Sequence, residues 1–92
     1  MQHRSDDSLE LVTALVRRLL TKRGIERDIG PHDELAASGL SSLDVVNLML
    51  SVETEFDLKI PERDMTPANF RSIARIDALV RTMLASAQTA GA

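Results

Sequence analysis

Apolar residues recur along this chain at the three-to-four-residue spacing of helices, and no stretch alternates with the period of a strand, so the chain reads as all α. The first periodic segment runs from about Ser8 to Arg23, with Leu9, Val12, Leu15, Val16, Leu19 and Leu20 on one face. Asp7 stands where an N-cap is needed, with Glu10 at N3. Arg17, Arg18, Lys22 and Arg23 gather towards the end, where cations complement the helix dipole. Gly24 is a natural stop. The second segment starts at Ser41 or Ser42 and reaches about Phe56. Here Leu43, Val46 and Leu50, with Val45, Met49, Val52 and Phe56 on adjoining rows, predict a wide apolar face. On that reading Val46→Asp should unfold or strongly destabilise the domain, because the charge would have no partner. The last segment runs from Ser72 as N-cap to Leu84, over Ile73, Ile76, Leu79, Val80, Met83 and Leu84.

Ile25 to Gly39 shows no sustained period and carries the turn chemistry of Gly30-Pro31, His32-Asp33 and Ser38-Gly39, which predicts a long loop. Loops of this length are functional or pinned, and Ile25, Ile29, Leu35 and Leu40 are the expected pins. Pro61 followed by Glu62, Arg63 and Asp64 predicts one helical turn with proline in its first position. Met65 to Arg71 is a connector with Phe70 packed inward. The expected architecture is a four-helix bundle of three main helices and one short third helix, with a long loop between the first two. It forms a single domain over residues 1–92, with a core of about 7–84 and frayed ends at 1–6 and 85–92.

Composition narrows the chemistry by subtraction. A hydrophobic fraction of 43% and a charged fraction of 27% suit a folded domain and not a disordered chain. There is no apolar run long enough to span a membrane and no secretory signal in Met1 to Asp7, so the expected location is cytoplasmic, without membrane insertion. With no cysteine, and with His3 and His32 far apart, disulfides, thiolate sites and a histidine metal site are excluded. Phe56 and Phe70 are the only aromatics and the net charge is −3, which disfavours nucleic acid. The charge is uneven: residues 28–64 hold nine acidic and two basic groups, while the flanking segments are each slightly basic. Such a cluster is a solvated surface or a means of steering basic partners.

Gly39-Leu40-Ser41-Ser42-Leu43-Asp44 is the stretch where chemistry concentrates. A small-residue turn delivers serine hydroxyls to the first turn of a helix, where unpaired N–H groups and the positive dipole end favour a phosphate ester. Serines at this place also serve as plain caps, with Asp44 three residues after Ser41 as a variant capping box. Taken alone, the six residues read as a cap without chemistry.

Over a longer stretch the sequence resembles the acyl carrier and peptidyl carrier family. The resemblance extends from about Leu35 to Leu84 and is clearest in the run from Gly39 through Ser42, Leu43, Asp44, Glu53 and Phe56 to Ile60-Pro61. It implies an acyl-carrier-like fold and makes Ser42 the acceptor of 4′-phosphopantetheine, donated by coenzyme A through a separate phosphopantetheinyl transferase. The arm's thiol would then hold an acyl or aminoacyl cargo as a thioester, so the carrier itself catalyses nothing. Other implied partners are an acyl or aminoacyl ligase or transferase and downstream synthase enzymes, met by a monomer. Leu43 is read by partners or anchors the core. Asp44 is engaged by basic partner residues or stabilises the helix start. Two departures mark a specialised carrier. Ser41 stands where many fatty-acid carriers have Asp, and Asn47 and Thr54 are neutral on the second helix's exposed face, leaving Asp44 and Glu53 as its acids. Ser41, Leu43, Asp44, Asn47 and Glu53 are thus the expected recognition residues. Met49, Met65 and Met83 fill core space or border a cargo pocket. The competing class is a helical interaction module in which Ser41 and Ser42 only cap a helix. A serine hydrolase does not fit, since there is no nucleophile elbow and no histidine is placed near Ser42.

Overall fold

The first helix, α1, spans Arg4–Lys22 in a computed structural model that describes the backbone of residues 4–91 and the side chains of residues 8–85. Asp7 therefore lies inside the helix and is not its N-cap, a correction to the expected start at Ser8. The expected fraying at residues 1–3 and 92 lies outside the described residues. The end of α1 is as expected. Gly24 takes a φ of +73°, its N–H reaches the Thr21 carbonyl at 3.0 Å, and the Ile25 N–H reaches the Leu20 carbonyl at 2.8 Å. That pair of bonds is the Schellman arrangement, which a residue without a Cβ adopts at least cost.

The second helix, α2, spans Ser42–Phe56, and the third, α3, spans Ile73–Gly91. α1 packs against both. Its stripe of Val12, Leu15, Val16 and Leu20 meets Leu48, Met49 and Val52 of α2 and Ile73, Ile76 and Val80 of α3 in one core cluster. α3 continues past the expected end at Leu84 because Ala85 to Gly91 contains three alanines, the strongest helix formers, and no proline to stop it. Ser72 caps it, accepting from the Arg75 N–H at 3.2 Å. Where α1 and α3 meet, the buried Asp77 carboxylate accepts from the Ser8 hydroxyl at 2.5 Å and pairs with Arg81 at 2.9 Å, so the burial of this acid is compensated.

α2 is rotated relative to the expected phase. Leu43, Val46 and Leu50 are 70%, 45% and 52% exposed, whereas Leu48, absent from the expected face, is buried with Met49 and Val52. Two apolar rows compete on this helix, and the row through Leu48 and Val52, backed by Val45 and Phe56, is the wider one. The expectation that Val46→Asp would unfold the protein is corrected accordingly, since a carboxylate there reaches water.

Between α1 and α2 the loop is tied to the start of α3 near its middle. The Leu35 N–H donates to the Arg71 carbonyl at 2.9 Å and the Ala74 N–H to the Pro31 carbonyl at 2.8 Å, while Ile29, Leu35 and Leu40 are buried. It contains a 3₁₀ turn, Leu35–Ser38, that the sequence did not suggest, closed by the Ser38 hydroxyl on the Leu35 carbonyl at 2.5 Å. A second 3₁₀ turn, Glu62–Asp64, follows Pro61, which is its N-cap and not its first residue. Asn69 Nδ2 holds that turn through the Asp64 carbonyl at 2.8 Å, and Phe70 is buried beside it. The described residues are thus all helix and loop, with three α-helices, and no helix is long and apolar enough to cross a membrane.

Candidate functional site

Gly39 starts the approach to α2. Its φ of +107° turns the chain out of the first 3₁₀ turn, and a Cβ there would sit 3.3 Å from Ile25 Cδ1. Buried Leu40 then anchors the strand of loop that presents Ser41 and Ser42.

The two serines have different surroundings. Ser41 is the N-cap of α2: its Oγ accepts from the Asp44 N–H at 3.2 Å, and its own N–H donates to Asp44 Oδ2 at 2.9 Å, completing a capping box with Asp. Its hydroxyl also lies 3.1 Å from Asp44 Oδ2, as donor. Ser42 is the first helical residue, exposed, and among the described residues no hydrogen bond engages its hydroxyl. Capping therefore accounts for Ser41 and leaves Ser42 without a structural duty. The Ser42 and Leu43 N–H groups, in the first turn, have no intrahelical acceptor.

Asp44 is buried, with one carboxylate oxygen on Ser41 and the other 3.3 Å from Arg23 Nε. The Ser41 backbone N–H, helped by the Ser41 hydroxyl and the Arg23 guanidinium, holds its pKa below the ordinary value against the opposing effect of desolvation. Its place is inside the helix start, not on the exposed face where the sequence reading put it. Glu53 is half-buried, and its Oε2 accepts from the Ile60 N–H at 2.8 Å, closing the turn after α2. Both acids expected on the exposed face thus make internal bonds, while Leu43 and Asn47 face water beside Ser42. Val46 and Leu50 share that face and were missed. Their spacing with Leu43, i, i+3 and i+7, was the available signal, but it reads equally well as a buried stripe.

Ser42 borders an open groove of about 810 Å³ between α2 and the connector that follows the second 3₁₀ turn. Val45, Met49, Met65 and Phe70 give it an apolar wall, and exposed Glu34, Glu62 and Arg71 give it a polar rim. Met83, by contrast, packs against the core. Among the described residues no group of three His, Cys, Asp or Glu side chains is placed to hold a metal.

An exposed hydroxyl at a helix start suits a covalent phosphate ester, and among the described residues no side chain hydrogen-bonds to it as a general base would. A family model described as phosphopantetheine attachment site matches residues 10–80. The chain belongs to the phosphopantetheine-binding carrier family. It is 39% identical over 90 residues to Aminoacyl carrier protein 1 of Bradyrhizobium diazoefficiens, covering 98% of this chain and all of the relative. Aminoacyl carrier protein of Agrobacterium fabrum is 34% identical over 77 residues, 79% of this chain and 93% of its own length. Among solved structures, a chain in the complex of Bradyrhizobium japonicum glycine:carrier protein ligase with glycylated carrier protein superposes with a TM-score of 0.73 at 35% identity, over 78% of this chain and 96% of that one.

Members of this carrier family bear a covalently attached 4′-phosphopantetheine, and the carrier is the substrate of other enzymes and not itself a catalyst. The arm supplies a flexible thiol, which this cysteine-free chain otherwise lacks. The site fits it. Exposed Ser42 Oγ offers an ester position, the free N–H groups of the first turn suit a phosphodiester, and the adjoining groove is open to solvent.

Proposed function

We propose that this chain is an aminoacyl carrier whose arm is attached to Ser42. The observation that carries the proposal is the division of labour at the head of α2: Ser41 and Asp44 complete the cap between themselves, and the Ser42 hydroxyl faces solvent unengaged. On this reading the Ser42 oxygen forms its phosphoester as the pyrophosphate of coenzyme A is cleaved by a phosphopantetheinyl transferase. The hydroxyl proton is lost and adenosine 3′,5′-bisphosphate leaves. The loading partner is an amino acid:carrier protein ligase, supported by the complexes of similar chains with a glycine ligase. The cargo is a small aminoacyl group, with glycine as the first candidate, passed on to a downstream enzyme by a monomeric, cytoplasmic carrier. The turn Glu62–Asp64 takes the part of the short third helix in a four-helix carrier arrangement within one domain. The head of α2, together with Leu43 and Asn47, faces the partners.

Coexpression with a broad-specificity phosphopantetheinyl transferase followed by intact-mass measurement tests the attachment. One arm per chain is expected in the wild type and none in Ser42→Ala. An arm that persists in Ser42→Ala, or no arm in either, would overturn the proposal.

A further inference from the structure

The end of α1 and the head of α2 are joined by a chain of polar contacts that stops next to Ser42. Arg23 follows the last residue of α1, and its N–H reaches the Leu19 and Leu20 carbonyls at 3.0 and 3.1 Å, just ahead of Gly24. Its Nε lies 3.3 Å from Asp44 Oδ1, while Asp44 Oδ2 accepts from the Ser41 N–H at 2.9 Å and from the Ser41 hydroxyl at 3.1 Å. The Arg23 side chain is 53% exposed and that of Asp44 only 7%. Arg23 is the one ion-pair partner of Asp44 among the described residues, although Arg18 and Lys22 border the same cleft between α1 and α2. The Ser42 hydroxyl has no bond of its own to fix it, so its place follows from the Ser41 backbone that the carboxylate holds.

We infer that Arg23 is a positioning residue for arm attachment: acting through Asp44 and Ser41, it holds the Ser42 hydroxyl where the transferase can bring it onto the coenzyme A pyrophosphate. A buried carboxylate without its counter-charge is costly, and it escapes by turning out to water or by taking up a proton. Turning out removes the acceptor of the Ser41 N–H, and protonation weakens it. The peptide before Ser42 is then free to shift, and the hydroxyl shifts with it. Transfer tolerates little of this, since a displacement of about 1 Å can lower a rate by about a hundredfold. The exposed ridge of Leu43, Val46 and Leu50 lies on the solvent side of α2 and is left as it is. Loss of Arg23 should accordingly slow the chemical step without weakening association. Arg23 has this duty only if Ser42 takes the arm.

The full chain is armed with coenzyme A by a broad-specificity phosphopantetheinyl transferase, followed by intact mass over a range of carrier concentrations at a temperature where circular dichroism shows the variants folded. Arg23→Gln should lower kcat about tenfold and leave KM for the carrier within about twofold, and Arg23→Lys should recover most of the lost kcat. Lys22→Gln, a neighbouring charge, should leave kcat unchanged. Hydrogen exchange at the Ser41 amide should be about tenfold faster in Arg23→Gln than in the wild type. In the Asp44→Asn background, where no carboxylate needs a counter-charge, Arg23→Gln should change kcat by less than about twofold, and this pair of chains carries the test if Arg23→Gln alone does not fold. An unchanged kcat or Ser41 exchange rate in Arg23→Gln, a loss confined to KM, no recovery in Arg23→Lys, or an equal loss in Lys22→Gln or in the Asp44→Asn background would overturn the role of Arg23 while the Ser42 attachment stands. A wild type that takes no arm, or an arm that persists in Ser42→Ala, would overturn both.

Discussion

Adjacent serines with unlike duties give the sharpest contrast between single side chains. Ser41→Ala removes the acceptor for the Asp44 N–H, and the loss of such a cap costs about 1 kcal/mol. Ser42→Ala removes a hydroxyl that no described residue engages and should leave thermal stability nearly unchanged. Thermal melts of the two variants, side by side, check this. Asp44 adds a pH signature. Its folded-state pKa lies below the ordinary 3.8, so the carboxylate stabilises the fold fully above that pH, and the contribution is lost as pH falls through the folded value. Asp44→Asn should therefore melt below the wild type at neutral pH, and the gap should close as the pH drops below about 4. A gap independent of pH would mean that the Ser41 and Arg23 contacts do not act on the charged form.

At the level of elements, the phase of α2 decides what a substitution does. Val52→Asp places a charge where no solvent reaches and should unfold the domain, a loss of more than about 4 kcal/mol. Val46→Asp, on the exposed ridge, should cost under about 1 kcal/mol. Denaturant titration of both fixes the rotation of the helix. Gly39→Ala tests the turn that feeds α2: a φ of +107° and a Cβ 3.3 Å from Ile25 should together lower stability by about 2 kcal/mol. Much of this level was legible. Gly24 as terminator, Ser41 with Asp44 as capping box, Ser72 as cap and the inward Phe70 follow from local chemistry that tertiary packing did not override. What the sequence could not reveal was which of two apolar rows on α2 meets α1, because both have helical spacing and the choice depends on how many neighbours each row can cover. The extension of α1 back to Arg4 and of α3 on to Gly91 was hidden for a related reason, since caps and breakers mark where a helix can stop and not where it must.

Across the whole molecule, charge counted along the chain differs from charge presented in space. Residues 28–64 carry an excess of seven acids, which reads as an acidic face. Folding occupies several of them: Asp33 accepts from the Gly30 N–H and Glu34 pairs with Arg71 at the surface, while buried Asp44 holds Ser41 and Arg23 and half-buried Glu53 holds Ile60. The exposed face of α2 beside Ser42 is consequently apolar and neutral at Leu43, Val46, Asn47 and Leu50, which charge counted along the chain could not have shown. The immediate neighbours of Ser42 read as a cap, so it was singled out only by the resemblance over a longer stretch, and the separate tasks of Ser41 and Ser42 needed the distances to Asp44.

Locating the arm to a single oxygen offers the most decisive check. After incubation with coenzyme A and a transferase, the tryptic peptide covering residues 28–59 contains Ser38, Ser41, Ser42 and Ser51 together. Its fragmentation under conditions that retain the phosphodiester should assign the added mass to Ser42 alone. Added mass on Ser41 or another serine, or none, would contradict the role given to the exposed hydroxyl at the head of α2.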